Sequence, residues 1–195
     1  LTVFNETIIP KLDAHNPEVV MLVELSREDK ATCSHDLQEL FDVLDDGILI
    51  TDSFEQEIFW SIRYSSLALA AAHGDGTKPA AFLEDLVIPL RHFGNFYHDL
   101  QQLIQKEELI CAIHGHAGNV HLHFYPLFDF TLPETPERIK ILSESFFSLA
   151  EKYEGSISGE HNDCIIRTPY LSLMYSEKWI ELFEGTLEIF DPHNI

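Results

Sequence analysis

Basic side chains are scarce in this chain. Twelve Lys and Arg stand against 33 Asp and Glu, a formal net charge of −21 at pH 7. A surface of that sign repels phosphate backbones and anionic lipid, so nucleic acid and membrane surfaces are poor partners. An anionic substrate needs a local basic exception, and the remaining acidic excess reads as a solvated surface that aids solubility. Cysteine is nearly absent too. Cys33, Cys111 and Cys164 are three in number and far apart, which argues against a disulfide framework, a thiolate zinc site or an iron-sulfur cluster in this chain. Their scarcity points to a reducing, cytoplasmic compartment, with peripheral association at a membrane left open. The longest small-apolar run, 67–72, is far short of a membrane span, and nothing resembles a signal peptide. No internal repeat, low-complexity tract, convincing linker or phosphate-cradling Gly-rich loop occurs. Leu rather than Met at position 1 suggests a piece of a longer polypeptide.

What is present fits an ordered globular chain. At 195 residues, with 45% apolar and 23% charged side chains, it suffices for one large domain or two small ones, and a single domain over 1–195 is expected. The β-branched run 18–25 predicts a buried strand, followed by a helix over 35–44 capped by Ser34 and a strand over 47–51. Ser53 and Gln56 form a capping box for a helix over 54–73 that stops at Gly74. Further on, the pattern predicts a strand over 80–88, a helix over 93–107 and a strand over 109–114. Thr135 and Pro136 open a helix ending near Gly155, and a last helix over 176–190 stops before Pro192. This alternation indicates an α+β fold, a mostly antiparallel sheet covered by helices on one face.

Four of the eleven histidines, His114, His116, His121 and His123, fall within ten positions of one another in HGHAGNVHLH. Alternate positions of a strand share a face, so His114 pairs with His116 and His121 with His123. A turn at Gly118 and Asn119 would reverse the chain and let His116 and His123 converge. Two such imidazoles with a carboxylate suit a divalent ion such as Zn, Mn or Fe, with positions left open for substrate. The competing reading is an ordinary hydrogen-bonded surface hairpin. A second segment, GSISGEHNDCIIR, sets Glu160 beside His161 after glycines that allow close backbone approach. If the chain there is extended, the two side chains point apart, one to a metal and one to substrate. An exposed loop with unremarkable charges is the alternative.

These two segments, with the closing FDPHNI, resemble the C-terminal domain of the FAD-linked oxidases of vanillyl-alcohol oxidase type, a group that includes D-lactate, glycolate and D-2-hydroxyglutarate dehydrogenases. KPAAFLEDLVIP and WSIR resemble that family's strand and helix, so the likeness covers about 59–195. EHNDCIIRTPYL makes it closest to the large members fused to iron-sulfur modules. The resemblance implies a fold with ferredoxin-like elements, metal ligands at His116, His123 and Glu160, and a catalytic base at His161. It also implies Arg63, Lys78 and Arg167 at a small anionic 2-hydroxy acid, and Asn162 and Asn194 at the FAD. Most of that FAD would be held by a flavin-binding domain of the same polypeptide, absent from this chain, so the isolated chain is expected to be inactive. Five positions depart from the family. Asn119, Val120 and His121 replace Asp-Gly-Asn, Cys164 replaces a Gly, and Leu83 stands where some relatives have Lys. Two other functions fit the ligand types: a two-His-one-carboxylate iron oxygenase, and a non-catalytic metal-binding or interaction domain.

Overall fold

The structure, a computed structural model, describes residues 19–44, 47–72, 76–193 and 195. The chain falls into two compact units, Leu1–Ser66 and Leu67–Ile195.

In the first unit, helix α1 (Lys30–Leu44) begins earlier than expected because Asp29, not Ser34, caps it. Asp29 Oδ1 accepts the Thr32 amide at 2.8 Å and Oδ2 accepts the Thr32 hydroxyl at 2.6 Å, satisfying an otherwise orphaned helix donor. Helix α2 (Ser53–Ala71), which runs across the unit boundary, is capped by Asp52. Its Oδ1 accepts the Glu55 amide at 3.0 Å, while the Gln56 side chain donates to the Ile50 carbonyl at 3.3 Å instead of closing a capping box on Ser53. The expected stop at Gly74 lies outside the described residues, as does Glu18. Residues 19–25 and 47–51 form no strand, contrary to expectation. Their β-branched composition suits a pleated surface, but a strand exists only where its amides find a ladder, and no described residue pairs with either run.

The second unit contains the sheet. Strand β4 (His121–Phe128) is paired antiparallel with β1 (Lys78–Pro79), β2 (Leu83–Val87) and β3 (Cys111–His116). Because β2 and β3 both pair with residues 121–124, they flank β4. Helix α3 (Phe93–Lys106) and helix α4 (Thr135–Lys152) bring Phe96, Leu100, Leu142, Phe146, Phe147 and Ala150 against Leu83, Leu86, Phe124 and Phe128 to form the core. An α+β fold with an antiparallel sheet is therefore what the sequence predicted. Thr135 lies inside α4 rather than capping it; it is buried, and its hydroxyl donates to the Asp129 carbonyl at 2.6 Å. A short helix α5 (Cys164–Arg167) and a final helix α6 (Glu177–Phe190), preceded by extended Ser176, complete the unit. The three cysteines are free. Among the described residues no helix is long and apolar enough to cross a membrane. The four-stranded open sheet also gives no support to an oxygenase-type jelly roll.

Candidate active site

The register of the β3–β4 hairpin decides where its histidines go. Residues 117–119 make one helical turn, Val120 follows with φ 52°, and the chain reverses. His116 then pairs with His121, and His114 with His123. Side chains alternate along a strand, so all four imidazoles share the face opposite Leu122 and Phe124. Gly115 permits the close approach, since a Cβ there would meet the His121 carbonyl oxygen at 2.0 Å.

Glu160 reaches this face from the loop after α4. Its Oε1 lies 3.3 Å from His116 Nε2, 3.4 Å from His123 Nε2, 4.0 Å from His121 Nδ1 and 3.2 Å from His161 Nε2. One ligand atom each from His116, His121, His123 and Glu160 all lie within 4.8 Å of one another. His161 stacks on His123, ring centroids 5.3 Å apart and planes 13° apart. Glu160 and His161 therefore converge rather than point apart, and the reason is Asp85.

Sequence reasoning missed Asp85. In β2 it is wholly buried, and three successive amides turn toward it: Gly159 at 2.7 Å and Glu160 at 2.9 Å, with His161 at 3.3 Å and 3.2 Å from its two oxygens. A loop curled about one carboxylate is not extended, so neighbouring side chains need not diverge. Desolvation raises the Asp85 carboxyl, but these amides and the Arg167 guanidinium outweigh it and hold it below the usual carboxylate range. The available signal was FLEDLVIP, where two adjacent acids interrupt an apolar strand; buried charges require partners.

The histidines are anchored from behind. His121 Nε2 sits 2.9 Å from Asp85 Oδ1, and His123 Nδ1 donates to the Glu84 carbonyl. Each imidazole thus spends one nitrogen on an anchor and turns the other to Glu160, the arrangement that orients metal-binding histidines. His123 Nε2 is buried with no hydrogen-bond partner among the described residues, an orphan that a cation would satisfy. Burial lowers the pKa of His123, and the His121 and His116 rings push the same way, against the Glu84 carbonyl and Glu160. Neutral imidazole is the form that binds metal. Desolvation raises the Glu160 carboxyl, yet the imidazoles of His116, His121 and His123 bring it below its ordinary value. These residues fit a divalent ion.

The other expected residues are less concentrated. Arg167 is wholly buried: Nη1 lies 2.6 Å from Glu84 Oε1, Nη2 lies 3.6 Å from Asp85 Oδ2, and Nη2 also donates to the Asn162 carbonyl. Its charge faces two carboxylates rather than solvent. Asn162 has φ 61° and closes the loop. Lys78 is exposed on β1 opposite Phe128. That is five residues along β4 from His123, or roughly 17 Å at the usual rise, so it does not join the cluster. Arg63 belongs to the first unit, on α2, and the cluster to the second. Asn194 lies outside the described residues.

Known proteins are similar to this chain in sequence. A glycolate oxidase subunit, GlcD, of Bacillus subtilis is 28% identical over 145 residues, 74% of this chain and 30% of that protein. A D-2-hydroxyglutarate dehydrogenase of Escherichia coli is 26% identical over 138 residues, 71% of this chain and 14% of that protein. A mitochondrial D-lactate dehydrogenase [cytochrome] 1 of Saccharomyces cerevisiae is 27% identical over 146 residues, 74% of this chain and 24% of that protein. The chain thus spans less than a third of the length of these relatives. Residues 5–195 match the family described as FAD linked oxidases, C-terminal domain, and with nearly its whole length matched this chain belongs to that family.

Proposed function

We propose that this chain is the substrate side of a flavin-dependent dehydrogenase that oxidises a D-2-hydroxy acid of the lactate, glycolate or 2-hydroxyglutarate type to the 2-oxo acid. The observation that carries this reading is the convergence of His116, His123 and Glu160, with His161 stacked at the edge of the cluster. His116, His123 and Glu160 would hold the divalent ion. When bound, such an ion supplies Lewis acidity that lowers a hydroxyl pKa, and FAD supplies an acceptor for hydride.

His161 is the proposed acceptor of the hydroxyl proton. Its side chain is part exposed, its Nε2 lies 3.2 Å from Glu160 Oε1 and its Nδ1 lies 3.9 Å from Glu84 Oε1. Arg167 supports this geometry from beneath, by balancing Glu84 and Asp85. Arg63 remains the proposed partner of the substrate carboxylate on the strength of the WSIR resemblance. Asn162, with Asn194, is the proposed contact of this chain with the flavin.

A flavin-binding domain of the same polypeptide would complete the enzyme, consistent with relatives more than three times the matched length. The exposed apolar side chains of α6, among them Trp179, Leu182, Phe183 and Leu187, offer such a domain a surface. Fused iron-sulfur domains are the proposed electron acceptor, on the wording of EHNDCIIRTPYL.

Two substitutions in the complete enzyme test the division of labour. His161→Gln should lower turnover by about 100 to 10,000-fold, the usual contribution of a positioned base, while metal content stays near wild type. Glu160→Gln should lose both. Elemental analysis and steady-state kinetics on D-2-hydroxy acids read the result, and nearly full turnover in His161→Gln would overturn the assignment.

A further inference from the structure

We propose that His121 is a fourth protein donor, so that the cation is held by three imidazoles and one carboxylate; this extends the metal reading above and rests on it. His121 stands where the resembling family has Asn, so the extra imidazole comes with this chain's own sequence. It is 4% exposed, and its ring centroid lies 4.4 Å from that of His123 and 5.6 Å from that of His116.

The tautomer follows from the anchor. Nε2 is occupied by the Asp85 carboxylate, which accepts its N–H and leaves Nδ1 with a free lone pair. Nδ1 is the atom that faces Glu160, at 4.0 Å from Oε1. Donor atoms bound at about 2.0–2.2 Å around one ion are separated by roughly 3.0 Å at adjacent octahedral corners and by roughly 3.3 Å in a tetrahedron. The distances from Glu160 Oε1 to the three imidazole nitrogens are 3.3, 3.4 and 4.0 Å. Glu160 Oε1 is thus already near that spacing from His116 and His123, His121 Nδ1 has the furthest to come, and one ligand atom from each of the four residues lies within 4.8 Å of the others.

That ring is not free to turn away. Asp85 is itself pinned by the amides of Gly159, Glu160 and His161. Behind the imidazole the backbone of Gly159 packs so closely that a Cβ there would meet His121 Nε2 at 2.8 Å. The same loop thus delivers Glu160 to the cation and holds the ring of His121 against it.

A fourth donor changes which ion suits the site. Four protein donors fill a tetrahedral shell, so a hydroxy acid chelating through two oxygens demands a six-coordinate ion. That favours Mn²⁺, Fe²⁺ or Co²⁺ over Zn²⁺, which prefers four ligands and expands to five.

The test is to strip the 195-residue chain with a chelator, load it with Co²⁺ alone, and count bound imidazoles by X-ray absorption at the cobalt edge. Three imidazoles are expected, falling to two in His121→Asn. Competition with a chromophoric chelator should show that variant binding Co²⁺ about 10 to 100-fold more weakly, on the scale of lost supporting groups at metal sites. The wild-type count does not depend on the variant folding. Two imidazoles in the wild type, or equal affinity in both proteins, would overturn the fourth donor and leave His116, His123 and Glu160 standing. Failure of the wild type to bind Co²⁺ through histidine would remove the metal reading together with this extension.

Discussion

At Asp85 a single carboxylate with no exposed surface accepts three backbone amides and faces one histidine and one arginine. Asn at this position has one acceptor oxygen and would set its own N–H donors against those amides. Asp85→Asn should therefore lose about 3 kcal/mol or more of stability, measured by urea unfolding. The acid response follows from the same group. Its folded pKa is depressed, so the stabilisation it provides is fully present above the ordinary Asp value of about 3.9 and is lost as pH falls from there toward the folded pKa. Asp85→Asn should flatten that part of the stability profile. Two other residues sit where the resembling family has glycine, and both adopt left-handed backbone: Val120 at φ 52° and Cys164 at φ 51°. This conformation costs an L-residue about 1–2 kcal/mol, of which the extra chain entropy of Gly returns roughly half. Cys164 is exposed, so Cys164→Gly should stabilise the chain by about 0.5–1 kcal/mol, read as a higher urea midpoint. Val120 is 8% exposed and packs in the core, so Val120→Gly forfeits that packing and should gain nothing.

The site also depends on how whole strands meet. Between Leu83 and Leu86 the pairing of β2 with β4 shifts register, because three residues of β2 span the two-residue step from Phe124 to Leu122. Such an irregularity re-aims side chains, and here it accompanies two adjacent acids, Glu84 and Asp85, that are both buried. On the other edge of β4, Gly115 allows β3 to come close. Gly115→Ala would force the strands apart at the His116–His121 pair, and a loss of at least about 2 kcal/mol is expected, together with weaker metal binding. Gly118→Ala, with nothing within 4 Å of its added Cβ, is the control and should change neither by much. Thermal unfolding and metal titration of the two variants decide the matter. In the second unit β2, β3, α3 and α4 were legible because their apolar periodicity agrees with a core that exists, whereas the two-residue β1 and the four-residue α5 are too short to carry such a signal. The strands expected at 18–25 and 47–51 were not found, since composition cannot supply the pairing that a strand needs.

Over the molecule as a whole, a net charge of −21 works against compactness. Raising the ionic strength from 0.01 to 0.15 M shortens the screening length from about 30 to about 8 Å. The melting temperature should therefore rise by about 2–4 °C if screening adds on the order of 1 kcal/mol. Scanning calorimetry across that range checks it, and a constant midpoint would show that the acids are already compensated. Against that background Arg167 is spent indoors, on Glu84 and Asp85, which no count of charges reveals. The shared face of His116, His121 and His123 was determined by sequence, because a period-two strand reversed by a short turn leaves few ways for them to face; for Glu160 and His161 the sequence determined only that they are neighbours, not the direction of their side chains. That Glu160 joins those histidines across 44 residues, that Lys78 lies far along β4 and that a buried aspartate curls the loop were decided only by the tertiary structure. Local pattern sets which side of a strand a residue takes. Packing alone sets which distant side chain it meets there, because buried charge has to find its partner wherever the fold brings one.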